Sequence, residues 1–179
     1  MSNEEKPVPP SRSTALRIAA VAVLAALTAV LTLLPKIPIP GTQGYVHLGD
    51  AAVAFTALVL GPVTALLAGG LGTAAADLLG GYPQWAPISF VVHGLQGLVM
   101  GLLVRLRPTS VVVAVAAGAL GTLVMAVGYF LGGLVLEGFG KSLFAMPWNL
   151  LQAAVGAVLG IPLSLAVRTA YPPVRDLSW

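Results

Sequence analysis

Four stretches of this chain carry no charged side chain: Ile18 to Leu34, Ala51 to Ala76, Pro108 to Leu136 and Ser142 to Val167. As helices rising 1.5 Å per residue, each is about long enough to cross a hydrocarbon core of roughly 30 Å. A fifth candidate, Leu78 to Val104, is interrupted only by His93. Core helices of water-soluble domains are rarely so long and so unbroken. With 58% apolar and 8% charged side chains, the chain holds about a third of the charge usual in a soluble domain. The reading is an all-α integral membrane protein surrounded by lipid.

Composition also removes whole classes of chemistry. There is no cysteine, which excludes disulfides, thiolate metal sites, iron-sulfur ligation and thiol catalysis. The net charge of +3 is not a nucleic-acid signal, because the basic residues flank apolar runs instead of forming a patch. The string Gly138-Phe139-Gly140-Lys141-Ser142 imitates a phosphate loop, but Val135 stands where its first glycine belongs and no strand precedes it. No Ser/His/Asp set, zinc pattern or carboxylate pair at helical spacing is present, so no enzymatic activity, cofactor or metal is expected. Two histidines without a nearby carboxylate are weak evidence for a metal site.

The number of crossings turns on residues 51–79, which form one tilted helix or two shorter ones broken at Gly61-Pro62. Glycine suits a helix end and proline the first turn of the next. The positive-inside rule arbitrates. Six spans put Lys6, Arg12, Arg17, Arg105, Arg107, Arg168 and Arg175 on the cytoplasmic side, leaving Lys36 and Lys141 outside. Five spans move Arg105, Arg107, Arg168 and Arg175 outside and erase the bias. The prediction is therefore a six-helix bundle with both termini cytoplasmic and helices near 15–34, 47–60, 62–79, 87–105, 109–136 and 143–168. Residues 1–13 and 172–179 read as cytoplasmic tails flanking one membrane domain, 14–171. The first apolar run meets Pro35-Lys36-Ile37-Pro38 rather than a small-residue cleavage site, so it reads as a span and not as a signal peptide.

In this arrangement the second helix is short, and the 36–46 loop, rich in Pro, Gly and Thr, becomes an external lid above it. Asp50, Asp77 and Glu137 all fall at external helix ends. Ionisable groups at membrane depth are costly and usually face a cavity. Ser89, His93 and Gln96, at i, i+4 and i+7, make one polar stripe on the fourth helix, and Asn149 and Gln152 repeat the i, i+3 spacing after Trp148. These residues, with Tyr45, His47, Asp50, Asp77, Tyr82, Gln84, Trp85 and Tyr129, are the expected lining of an external pocket. Asp77 sits at a helix C-terminus, where the macrodipole disfavours an anion, so it needs a partner such as Lys36, Lys141, a backbone amide or a cationic ligand atom. Ala15, Ala19, Ala22, Ala26 and Ala29 form a flat stripe on the first helix that is either buried in the bundle or faces another membrane protein.

Several stretches carry a family likeness: His47-Leu48-Gly49-Asp50, Leu60-Gly61-Pro62, Leu67-Ala68-Gly69-Gly70-Leu71-Gly72, Ala76-Asp77-Leu78, Gly81-Tyr82 and Gly94-Leu95-Gln96-Gly97. In that order and spacing the chain resembles the substrate-binding S components of bacterial energy-coupling factor (ECF) vitamin transporters. The resemblance implies a multi-pass protein of the bacterial cell membrane with an external pocket closed by the loop after helix one. It also implies a partner energy-coupling module of one membrane subunit and two ATPases, which would hydrolyse the ATP. Small residues of helix one touch the coupling subunit in that family, which assigns Ala19, Ala22 and Ala26 to a partner interface. His93 stands where many relatives carry lysine, which argues against an anionic substrate and for a neutral or weakly basic heteroaromatic vitamin. The competing reading of the same residues is a stand-alone, gradient-driven transporter or channel for a small solute.

Overall fold

The fold is a bundle of six helices, described by a computed structural model over residues 12–178. They are α1 (Arg12–Leu33), α2 (Gly49–Leu60), α3 (Pro62–Gly80), α4 (Ala86–Leu106), α5 (Val111–Leu136) and α6 (Phe139–Ala170). The expected tail residues 1–11, Lys6 among them, lie outside the described residues. Five helices are long and apolar enough to cross a membrane, and α2 is not. Large apolar side chains cover the outside of the bundle, among them Val23, Val112, Leu131 and Val158, each more than half exposed. A hydrocarbon surround stabilises such a surface, and water does not.

The break between α2 and α3 comes where the sequence places it. Gly61 adopts φ 84° and Pro62 opens the next helix, so the chain reverses without a loop. The 12 residues of α2 rise about 18 Å, well short of the hydrocarbon thickness. Helix α2 is instead sunk among its neighbours, with ten of its residues buried. Its fit against α6 depends on missing side chains. A methyl group on Gly160 would come within 2.7 Å of the Ala51 carbonyl oxygen and 2.8 Å of Ala54 Cβ. Gly156 packs just as tightly on Asp50. Close backbone approach of this kind substitutes for the hydrophobic drive that lipid cannot supply.

Helix α6 begins at Phe139, four residues before the expected start. Gly138, at φ 84°, turns the chain sharply after α5 and the Ser142 hydroxyl bonds back to its carbonyl. The Gly138–Lys141 stretch that suggests a loop is therefore a turn followed at once by helix, and Pro147 lies inside α6. At the other end, within the expected 172–179 tail, residues Pro172–Leu177 form a 3-10 helix, and Val174 and Leu177 pack against Leu24, Val59, Leu60 and Ala68.

The alanine stripe of α1 faces outward. Ala15, Ala19, Ala22 and Ala26 are exposed, whereas Leu24, Thr28 and Thr32 turn into the bundle. The Thr28 and Thr32 hydroxyls bond the carbonyls of Leu24 and Thr28 on their own helix.

Two short strands, β1 (Ile37–Pro38) and β2 (Tyr45–Val46), pair antiparallel between α1 and α2. Gly41, at φ 77°, and the Thr42 hydroxyl, which bonds the Ile39 carbonyl and accepts from the Gly44 amide, close the hairpin. Hairpin, 81–85 loop and α5–α6 turn share one end of the bundle. Arg105 and Arg168 stand at the opposite end, beside Gly61.

Candidate functional site

Beneath the hairpin lies a cavity of about 40 Å³, room for a few waters. Every inter-helix connection at that end contributes to its walls. Ile39, Gln43, Gly44, Tyr45 and His47 come from the hairpin, Thr73 and Asp77 from α3, and Trp85 and Ser89 from the start of α4. Met125, Tyr129 and Gly133 come from α5, and Ser142, Ala145, Asn149 and Gln152 from α6.

The hairpin is tied down at its tip. The Gln43 amide donates to a carboxylate oxygen of Glu137 at the end of α5, and Gln84 Nε2 donates to Gln43 Oε1 at 3.1 Å. At its base Tyr45 donates to Asp77 Oδ1 at 2.8 Å. Burial, followed by the charge of Asp77, raises the Tyr45 phenol well above its ordinary pKa, so it remains a donor. Asp77 thus finds a hydroxyl partner at its helix C-terminus. The Lys36 ammonium instead donates to the Gly80 carbonyl at 3.1 Å and lies over the rings of Tyr82 and Tyr45 at 4.2 and 4.9 Å.

Below the cavity a polar network centres on Asp50, which is fully buried. Its Oδ1 accepts from Gln96 Nε2 at 2.8 Å and its Oδ2 from Gln152 Nε2 at 2.7 Å. Two imidazoles complete the surround: His93 Nε2 stands 3.6 Å and His47 Nδ1 3.9 Å from Oδ2. The Gly49 amide donates to His47 Nδ1 at 3.1 Å, and Gln152 Nε2 stands 3.3 Å from the ring's Nε2. Burial outweighs the pull of Asp50 and lowers the His47 pKa to about 3. The His93 Nδ1 approaches the Tyr129 hydroxyl at 3.3 Å, and that hydroxyl pairs with Ser89 Oγ at 2.6 Å.

The sequence-predicted residues therefore separate into three groups. Tyr45, His47, Asp77, Trp85, Ser89, Tyr129, Asn149 and Gln152 line the cavity. Asp50, His93 and Gln96 lie under it, joined to the walls by hydrogen bonds. Tyr82, Gln84 and Trp148 are not on its walls. Tyr82 packs on Tyr45 with ring centroids 5.0 Å apart, and Gln84 holds the hairpin tip. Trp148 is 40% exposed, since adjacent helical residues point about 100° apart and Asn149 takes the inward direction. The expectation that the histidines lack a carboxylate is also corrected. Asp50 is close to His93 only through the packing of α2 on α4, which the one-dimensional spacing does not reveal.

Cavity residues outside the predicted set include Thr32, Ile39, Gln43, Thr73 and Glu137. Gln43 and Ile39 belong to the loop predicted to cover the pocket. Thr32 lies at i+4 from Thr28 on the buried side of α1, but it sits within an apolar run where nothing marks it as polar-facing.

Trp85 and Tyr129 stack at a tilt of 39° with centroids 5.8 Å apart. Two buried polar atoms on the walls have no protein partner among the described residues, Asp77 Oδ2 and Trp85 Nε1. One accepts and the other donates, beside an aromatic surface.

Comparison with known proteins gives the site its setting. The family described as ECF-type riboflavin transporter, S component, matches residues 12–169. An uncharacterized protein of Pyrococcus woesei is 33% identical over 82% of this chain and 98% of its own length. The thiamine precursor transporter HmpT of Lactococcus lactis subsp. cremoris is 31% identical over 83% of this chain and 85% of its own. The crystal structure of the S component for biotin from an ECF-type ABC transporter superposes with a TM-score of 0.63 at 17% identity, covering 90% of this chain and 95% of that one. This likeness shows the six-helix fold. The chain is a multi-pass membrane protein and belongs to the ECF-type riboflavin transporter S-component family.

Proposed function

We propose that this chain captures a small, neutral or weakly basic heteroaromatic vitamin or precursor at the external face of a bacterial cell membrane. It would then deliver the solute inward with an energy-coupling module of one membrane subunit and two ATPases. The observation that carries the reading is the cavity under the hairpin, where aromatic and polar side chains gather at one end of an otherwise apolar bundle. The hairpin acts as its lid. At about 40 Å³ the closed cavity is far smaller than the roughly 300–1,000 Å³ of ordinary ligand sites, so the lid and the rings beneath it move to admit a ring system. The cytoplasmic placement of both termini rests on Arg105, Arg107 and Arg168 at the end opposite the cavity.

The ligand class follows from the walls. Asp77 Oδ2 calls for a donor, Trp85 Nε1 for an acceptor, and the Trp85–Tyr129 pair for a flat ring. An anion would meet Asp77 and Glu137. The family description names riboflavin, HmpT a thiamine precursor and the solved structure biotin, so family membership leaves the choice open.

Mass spectrometry of small molecules released from the purified protein, followed by binding titration with a vitamin panel, tests the proposal. One saturating heteroaromatic ligand is expected. No binder in the panel together with no co-purifying ATPase would overturn it. Solute uptake by proteoliposomes holding this chain alone would favour a gradient-driven carrier instead.

A further inference from the structure

Beneath the cavity the structure gathers three side chains of metal-ligating type. His47 follows β2, Asp50 opens α2 and His93 lies in the middle of α4, and one donor atom from each lies within 4.8 Å of the others. All three are buried, Asp50 and His93 completely. We propose that His47, Asp50 and His93 bind a single divalent transition-metal ion of the zinc class.

Three observations support the assignment. The first is electrostatic: among the described residues, the ion-pair neighbours of the Asp50 carboxylate are the two imidazoles. A carboxylate buried in a membrane bundle without a cation is expensive, and a divalent ion supplies the missing charge. The second is an orphaned atom. Among the described residues His93 Nε2 has no hydrogen-bond partner, although it is wholly buried and stands 3.6 Å from Asp50 Oδ2. The third is the surrounding shell. Tyr129 holds the far nitrogen of His93, while Gln96 and Gln152 fix both oxygens of Asp50, as outer partners do in sites where they orient the ligands.

The three donors lie within 4.8 Å of one another and draw together to hold an ion. Four-coordinate zinc, with bonds of about 2.0–2.1 Å, sets neighbouring donors roughly 3.3 Å apart. Here the separations from Asp50 Oδ2 are 3.6 and 3.9 Å. His47 Nδ1 accepts from the Gly49 amide, and the ion would take that lone pair in its place. Two imidazoles and one carboxylate suit zinc, cobalt or nickel. Magnesium and calcium seek six or more oxygens and find too few. His47 and Gln152 also line the cavity, so the ion sits under its floor.

The test uses tag-free protein in detergent, stripped with a chelator and titrated with Zn²⁺ and Co²⁺ alone. One equivalent is expected to bind, Co²⁺ giving the strong visible absorption of four-coordinate nitrogen and oxygen ligation. Asp50→Asn and His93→Ala should each weaken binding by roughly a hundredfold or more, since even outer-shell partners are worth 10–100-fold. Added Zn²⁺ should raise the thermal midpoint of the wild type and leave both variants unmoved. If the variants do not fold, the wild-type stoichiometry and Co²⁺ spectrum decide. Absence of saturable binding to folded wild type, binding unchanged in both variants, or equal competition by Mg²⁺ would overturn the proposal. No vitamin enters the assay, so its failure leaves the importer reading intact.

Discussion

Gln152 ties Asp50 to the backbone of His47: its Nε2 donates to Asp50 Oδ2 at 2.7 Å while its Oε1 accepts the His47 amide at 2.9 Å. One side chain of α6 thereby fastens the floor of the cavity to the base of the hairpin. Gln152→Leu removes both bonds and leaves a buried N–H without an acceptor. The expected cost is roughly 2–5 kcal/mol, the sum of a neutral and a charge-assisted bond. A clear fall in the detergent melting temperature, with faster amide exchange across residues 45–48, would register it. An unchanged melt would mean the network is not holding the hairpin.

Asp77→Asn keeps the Tyr45 contact, because an amide oxygen still accepts from the phenol, yet it removes the charge at Oδ2. Affinity for the ligand that saturates the wild type should fall roughly 10–100-fold, the worth of one charge-assisted bond. Trp85→Phe keeps an aromatic face but deletes the Nε1 donor together with the five-membered half of the indole, so a loss of roughly tenfold or more is expected. Equilibrium titration of both variants checks the assignment of these two unpartnered atoms.

Gly160→Val forces a branched side chain against Ala51 and Ala54 on α2. Overpacking costs about 1–3 kcal/mol and sometimes more, and here one contact is backbone, which cannot rotate away. Lower yield and an earlier melt are expected. Ala→Val at exposed Ala119 on α5 should be nearly silent by comparison.

Ala22→Trp adds bulk to an exposed face of α1. Complex formation with the coupling module should be lost in co-purification while ligand affinity stays within about twofold, since no residue of the cavity is touched. Intact assembly would remove Ala19, Ala22 and Ala26 from the proposed interface.

Periodicity made much of this fold legible. Charge-free runs located the long helices, Gly61-Pro62 located the break, and the i, i+4, i+7 stripe of Ser89, His93 and Gln96 identified one inward face of α4. What spacing could not supply was pairing between helices. The convergence of Asp50 with His93 depends on α2 settling against α4 and α6, and glycines such as Gly156 allow that approach only because of what stands opposite. Trp148 illustrates a different failure: an aromatic residue beside a polar one attracts attention, yet neighbours on a helix diverge by about 100°. The early start of α6 escaped for a local reason, because Gly138 at positive φ completes the turn in a single residue and Phe139 begins the helix at once.

The truncation of α2 has one more consequence. A crossing of roughly 30 Å less a helix of about 18 Å leaves some 12 Å of bilayer depth unoccupied by that segment. With the cavity on the proposed external side, anything seated above Asp50 would lie roughly 12 Å beneath the outer hydrocarbon boundary, about two fifths of that thickness.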